Sequence, residues 1–494
     1  MRVRIALPLL CAAVAGVAAT AATAQMATHP AARSLIVATT GPTAPLWTGL
    51  QDPLFQGSQQ TTALGMASQA GASYVRLIVW WASIAPRSLP QSGFDPTDPA
   101  SPYYGWSALD ASVSAAETAG LTPILNIVGR PPSWAYAVQP GAGTGGSPET
   151  AALGAFATAL ASRYDGSGPA PAVHAFAVWN EANFNRNLYP QDPTVYRSMV
   201  NAVADAVHAV DPANLAVAGE LAPFKHAPTN TDQNSVIPPL AFMRQMLCIS
   251  NTTPAQRTCN VETHFDVWSH HPYSDTGPFG HAKLGGGVEL GDLPKMKALL
   301  QTAEQLGAIA SAKPPQFWVT EFGWSSNPPN SKGVPMNLEA RWLAESLYQI
   351  WKSGATLGTW FLLQDFPLST PFQSGLYFNS TLLADATAKP LLTPFRFRFV
   401  AYLKSGGKVK IWGRDATSDR QDVAIQRKIG SGSWKRVATV ASNSHGIFQA
   451  TLPLKATSSW SLRASAPGSG ISLGFALKVP LDENLRVTPF PLRG

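Results

Sequence analysis

The chain has 494 residues, 45% hydrophobic and 10% aromatic, with 42 Pro, 15 Trp and only 13% charged side chains. That length exceeds one small core and predicts two or three domains, and the composition excludes a disordered or fibrous chain. The formal charge of +7 is uneven, since residues 1–401 carry 22 Lys and Arg against 24 Asp and Glu, and residues 402–494 carry 14 against 5. The basic tail shows no basic helix, its cations being dispersed among strand-like residues, so no nucleic-acid partner is expected. Plain solvation accounts for it, with contact to an anionic cell wall as the more specific alternative.

The first residues read as a processing segment. Arg2 and Arg4 precede the apolar run Ile5–Ala18 and the small-residue pattern Ala22-Thr23-Ala24, which predicts a secretory leader over 1–24 and an exported, extracellular protein. The run is short of the roughly 20 residues a spanning helix needs, and no later stretch is longer, so no membrane insertion is expected after leader removal. Export leaves Cys248 and Cys259, eleven apart, in an oxidising compartment, where one disulfide worth about 2–4 kcal/mol is expected. Neither His nor further Cys stands nearby at ligand spacing, and no metal site is expected.

After a lead-in over 25–44, short apolar runs alternate with helix-patterned stretches to about residue 400. Eight runs read as strands: 46–50, 74–80, 122–128, 173–180, 214–219, 265–270, 316–321 and 358–363. Several are continuously hydrophobic, as strands buried on both faces are. Helical spacing marks 62–71, 109–120, 193–212, 293–307 and 337–354, with Asp110 placed to cap the second of these. Eight strands with interleaved helices predict an α/β fold, a (β/α)8 barrel over 45–401 with enlarged loops after strands 2, 3, 5, 6 and 7. An open doubly wound sheet is the alternative, but no Gly-rich phosphate turn follows an early strand. Beyond Pro394 the texture becomes short strands separated by Gly, Ser and Asn turns. This predicts a small all-β immunoglobulin-like sandwich over 402–494, with the break near Ser405-Gly406-Gly407.

Charge is scarce, so carboxylates at strand ends stand out. The fourth strand closes as VWNEAN, with Asn180 and Glu181, and the seventh as FWVTEFGW, with Glu321. In a barrel these two ends face each other across the mouth, where a pair of carboxylates can flank one glycosidic bond. One acid must stay protonated while the other is ionised, which different surroundings can arrange. Singly, Glu181 could cap the next helix and Glu321 could belong to a structural ion pair. Together they point to catalysis without metal or organic cofactor.

The motifs WNEAN and WVTEFGW resemble those of glycoside hydrolase clan A, retaining (β/α)8 enzymes that include cellulase and β-xylosidase families. The resemblance covers the expected barrel and none of the tail. It implies a carbohydrate substrate with β-linked sugars, Glu181 as general acid/base, Glu321 as nucleophile and Asn180 as holder of the sugar 2-hydroxyl. It further implies that Arg76 keeps the nucleophile ionised, that His271 and Tyr273 of HHPYS serve the site, with Tyr273 donating to the nucleophile, and that Trp360 forms an aromatic floor. Trp80, Trp81, Trp134 and Trp324 lie near strand ends, placed either to stack on sugars or to fill the core. Asn126 either reaches substrate or hydrogen-bonds within the barrel, and Glu220, after strand five, is expected to face water rather than bind a hydroxyl. The third strand end, NIVGRPPSW, lacks the His that some of these families use. Two alternatives keep the same residues: a carbohydrate- or wall-binding protein on a glycosidase barrel, and a transglycosylase.

Overall fold

The computed structural model describes residues 35–41, 44–90, 92–223, 235–417 and 420–477, and the expected leader lies outside these residues. Eight parallel strands close into a barrel in sequence order. They are β1 (Trp47–Gln51), β2 (Tyr74–Trp80), β3 (Thr122–Val128), β4 (Ala175–Val178), β5 (Leu215–Leu221), β6 (Val267–His270), β7 (Gln316–Phe322) and β8 (Leu357–Phe361). Helices follow each strand: α1 (Gln60–Gln69), α2 (Ser107–Thr118), α3 (Thr150–Arg163), α4 (Pro193–Val210), α5 (Pro239–Met246), α6 (Leu293–Gln305), α7 (Met336–Lys352) and the short α8 (Leu392–Arg396). Helices α3 and α5 carry no sequence expectation: α3 is so rich in Ala that its apolar stripe is weak, and α5 spans barely two turns.

Two apolar populations follow from the period of two along each strand. Inward side chains Ile124, Ala175, Ala177, Val217, Val267, Trp318 and Leu357 fill the lower barrel with Trp47, Tyr74 and Leu215. Outward side chains meet the helix layer in a separate, larger core. Helix α4 shows why the ends of β4 and β5 are firm. Asp192 caps it by accepting from the Thr194 N–H, Pro193 opens it, and Tyr196, Val200, Val203 and Val207 are buried as the spacing predicts. The Tyr196 hydroxyl lies 2.8 Å from the Val178 carbonyl and accepts from the Gly219 N–H, tying the helix to both strand ends just below the mouth.

Some local expectations differ. Asp110 does not cap α2; it lies inside the first turn and holds Arg163 at 2.6 Å and the Tyr164 hydroxyl at 3.0 Å, joining α2 to α3. The longest loop follows β8, over 362–391, an enlargement no strand or helix signal marks.

The C-terminal part is a β-sandwich of two sheets. One consists of β9 (Arg398–Leu403), β10 (Val409–Arg414) and β13 (Ile447–Leu452), antiparallel throughout. The other contains β11 (Asp422–Ile429), β12 (Lys435–Ala441) and β14 (Trp460–Ala466), and Leu35–Val37 adds a parallel strand to β12. Strand β9 runs across the expected break at 401/402, and the lead-in supplies an edge strand to the far sheet. No gap separates this module from the barrel, because Trp412 is fully buried against Tyr348 and Trp351 of α7, and Arg398 donates to Thr48 on β1. Cys248 and Cys259 form the expected disulfide in the loop after α5. Among the described residues no helix is long and apolar enough to cross a membrane.

Candidate active site at the barrel mouth

The carboxyl ends of β2, β4, β5, β6 and β7 converge on one charged web. Arg76, inward on β2 and buried, donates from Nη1 to Glu321 Oε1 at 2.6 Å and from Nη2 to Asn180 Oδ1 at 2.8 Å. It also donates to Gln51 and to Glu220 Oε2. The Tyr273 hydroxyl donates to Glu321 Oε2 at 3.0 Å, so both oxygens of that carboxylate are held. His271, fully buried, places Nδ1 3.1 Å from Glu181 Oε1 and 3.8 Å from Glu321 Oε2, and Nε2 3.2 Å from Glu220 Oε2. Those two Nδ1 distances bring Glu181 and Glu321 within about 7 Å of each other, short of the wide end, roughly 9.5 Å, of carboxylate pairs that act on a glycosidic bond.

Glu220 departs from its expectation most clearly. It does not face water: it is fully buried, and its Oε1 lies 2.7 Å from the Ser269 hydroxyl while Oε2 meets Arg76 and His271. Burial alone would raise its pKa, but the charge of Arg76 and the hydrogen bond and charge of His271 overcome this and hold it well below the usual carboxylate range. For His271 burial alone would favour the neutral ring, yet the Glu321 charge and the bonds to Glu181 and Glu220 push it up to about 10. Its neighbour His270 turns away to the Val288 carbonyl and is pushed down to about 3, chiefly by burial. Burial, with the charges of Glu321 and Glu181, keeps the Tyr273 phenol protonated and able to donate.

Backbone strain gathers at the same place. Of the seven non-glycine residues with positive φ among the described residues, Trp179, Glu181, Glu220, Leu362 and Phe372 lie at the mouth. Such conformations persist only where surroundings enforce them. Gly219 makes the turn into Glu220 possible: its φ is +100°, and a Cβ there would collide with the Ser269 carbonyl on β6.

The web opens on a cleft of about 790 Å³ lined by Asn180, Glu181, Tyr273 and Glu321, with Phe361 and Phe372 on one wall and Trp80, Arg130 and Arg186 among its other residues. The structure thus brings Arg76, Asn180, Glu181, His271, Tyr273 and Glu321 together. Of the tryptophans named from the sequence it brings Trp80 to the cleft, and not Trp81, Trp134, Trp324 or Trp360. Trp360 is fully buried, donates to the Ser374 carbonyl at 2.6 Å and packs edge-on against Phe322. The cause is parity: Leu357, Thr359 and Phe361 share the inward side of β8, so Phe361 reaches the mouth and Trp360 the helix layer. Trp324 backs onto Trp342 and Trp360, and Trp134 packs edge-on against Trp81 and Phe94 while donating to Pro86. Trp81 is core, whereas Trp80 is 55% exposed and lines the cleft. Asn126 is fully buried and donates to the Trp179 carbonyl at 2.9 Å, bracing the turn before Glu181 and not touching the cleft. Among the described residues no group of three or more His, Cys, Asp or Glu is disposed to hold a metal ion. Glu220, named from the sequence as a carboxylate after strand five, closes an apolar strand as Glu181 and Glu321 do; its buried partners are not legible there.

No family model matches the chain, and no curated protein matches its sequence. Similar solved structures include a family 39 glycoside hydrolase from Bacteroides cellulosilyticus WH2, 17% identical, aligned over 83% of this chain and 80% of that one with a TM-score of 0.49. A family 39 β-xylosidase from Caulobacter crescentus is 16% identical over 80% and 84%, with a TM-score of 0.46. A glucosidase from Croceicoccus marinus is 14% identical over 89% and 97%, with a TM-score of 0.49. Likeness at this level adds nothing to the fold that the strand order already defines.

Proposed function

We propose that this chain is an exported, retaining glycoside hydrolase acting on β-linked sugars. The observation that carries the reading is that Glu181 and Glu321, from β4 and β7, line one cleft in unlike surroundings. Glu321 is clamped through both oxygens by Arg76 and Tyr273, which orients a carboxylate for attack on carbon. Glu181 shares a proton-bearing contact with His271, which suits a group that gives and takes protons.

In the first step Glu181 gives its proton to the glycosidic oxygen as the bond from that oxygen to the anomeric carbon breaks. Glu321 bonds to the carbon, forming a glycosyl ester. Water then enters, loses a proton to Glu181 and attacks the same carbon, releasing Glu321 and restoring both groups. Asn180, its Oδ1 held by Arg76, stands beside the pair to bind a sugar hydroxyl.

Aryl β-glycosides tested on purified protein, with the anomeric configuration of the first-formed product read by NMR, check the reading. Retained configuration is expected, and Glu321→Ala should lose roughly 10⁴-fold or more in kcat with an unchanged fold. Inverted product, or normal hydrolysis by the variant, overturns it.

Contact with an anionic wall polymer would use the outer face of the far sheet. Register places Gln426, Arg436 and Arg463 in one row, with Lys428 and Arg463 over the Trp434 ring at 5.2 and 4.3 Å. Salt-sensitive retention on an acidic polysaccharide, absent on a neutral one, is the expected result; equal retention on both ends the idea.

A further inference from the structure

Glu220 has no part in the two displacement steps, yet it is the most heavily bonded carboxylate of the site. We propose that Glu220 is a positioning residue that acts through His271 on Glu181, holding one imidazole proton on Nε2 so that Nδ1 is left to share a proton with the acid/base; this rests on the glycosidase reading above.

Proton counting at His271 carries the inference. Each ring nitrogen faces a carboxylate oxygen, Nδ1 that of Glu181 at 3.1 Å and Nε2 that of Glu220 at 3.2 Å. A neutral imidazole donates from one nitrogen only, so two carboxylates can both be satisfied only if a further proton is present. Glu220 does not supply it. The oxygen it turns to His271 is the one that receives Arg76 Nη2, with the Asn126 amide at a longer 3.4 Å, and Ser269 lies against its other oxygen. Glu220 is therefore held as an anion, and the Nε2 proton of His271 is committed to it.

What remains is one proton between Nδ1 and Glu181. It rests as Nδ1–H against a carboxylate, or as a carboxylic acid against a bare nitrogen, across the 3.1 Å contact. The proton lent to the leaving group is drawn from this pair. Without the Glu220 anion, the ring can place its single neutral-state proton on Nδ1 and leave Nε2 bare, and Glu181 then faces a permanent donor. The groups around His271 are Glu181 from the end of β4, Glu220 from β5 and Glu321 from β7, with Arg76 of β2 behind Glu220; Tyr273 reaches the site through Glu321. Only Glu220 pairs with Nε2. Arg76 also joins Glu220 to Glu321, so Glu220 has a second route of influence, through the nucleophile. Leaving-group dependence separates the two. Assistance by Glu181 matters for a poor leaving group and little for a good one, whereas a weakened nucleophile slows both.

The test compares Glu220→Gln with the wild type on a series of aryl β-glycosides, from dinitrophenyl to unsubstituted phenyl. Expected is a fall in kcat/KM of about 10²-fold or more for phenyl, within the range of general acid catalysis, against less than about 10-fold for dinitrophenyl. The pH profile should shift with it. His271→Asn should show the same steepened dependence, and Glu220→Gln should add nothing to it in the double variant. An equal fall across the series, or none, overturns the proposal while leaving the glycosidase reading intact. A wild type that hydrolyses no glycoside overturns both. Should Glu220→Gln fail to fold, wild-type protein labelled with ¹⁵N at histidine decides the matter: His271 must carry a proton on Nε2, and a bare Nε2 overturns the proposal.

Discussion

Two buried ionic clusters lie in the same barrel. At the mouth, Arg76 and His271 hold Glu181, Glu220 and Glu321. Behind the β7 and β8 loops, Lys389, fully buried at its ammonium, donates to Asp365 at 2.5 Å, to Ser326 at 2.6 Å and to the Gln373 carbonyl at 2.9 Å. Nearby Glu339 is buried with neither oxygen bonded among the described residues, and desolvation raises its pKa well above the usual range, favouring the neutral acid. Both clusters obey the same rule, that a buried charge needs partners. They differ in access. Asn180, Glu181, Tyr273 and Glu321 line the cleft, and none of Lys389, Asp365 and Glu339 does. Burial and pairing therefore mark structural and chemical clusters alike, and an open side next to a carboxylate pair distinguishes the second kind.

The sharpest way to break this distinction is to remove the cation from each cluster in turn. Arg76→Met should abolish most turnover, because Glu321 loses a clamp. Lys389→Met should lower the unfolding free energy by about 3–5 kcal/mol, the usual cost of stranding half of a buried pair, while the folded enzyme turns over nearly as before. Denaturant unfolding and kcat on one aryl glycoside read both. A Lys389 variant that unfolds normally but is inactive would reverse the assignment.

A second expectation concerns pH. The folded-state pKa of His271 lies at about 10, above its ordinary value, so binding that proton favours the native state. Its contribution is complete below the unfolded value near 6.5 and is lost as pH rises through about 10. Wild-type stability should therefore decline from pH 7 to 10, and His271→Asn should flatten that slope. Parallel curves would show that His271 is not charged at neutral pH.

The smallest kinetic effect is expected at Phe361, and it separates neighbouring aromatics on β8. Phe361→Ala should raise KM several-fold with little loss of stability, since Phe361 borders the cleft. Trp360→Ala should cost about 3–5 kcal/mol of stability through the cavity it leaves. Thermal melts and Michaelis kinetics on both variants decide it, and the converse pattern would restore Trp360 as the sugar platform.

Glu220 and Trp360 show how reading along the chain falls short. Glu220 closes VAGEL as Glu181 closes VWNEA, but whether such a side chain meets water or Arg76 depends on what β2 and β6 bring to it, residues far away in the chain. The family resemblance implies Trp360 as the floor of the mouth, and strand parity on β8 sends it outward. Trp134 and Trp324, left open between sugar stacking and core, pack against other aromatics.

What the chain specified by itself is the order of its eight strands, most of its long helices and the two carboxylates at the ends of β4 and β7. These signals are local: apolar periodicity, and scarce charge placed where a buried run stops. Only the tertiary fold decided which side chains meet His271, which aromatic faces the cleft, and that Leu35–Val37 adds to a sheet some 400 residues away. Those outcomes depend on strand parity and on contacts between distant segments, and no window of sequence contains both partners.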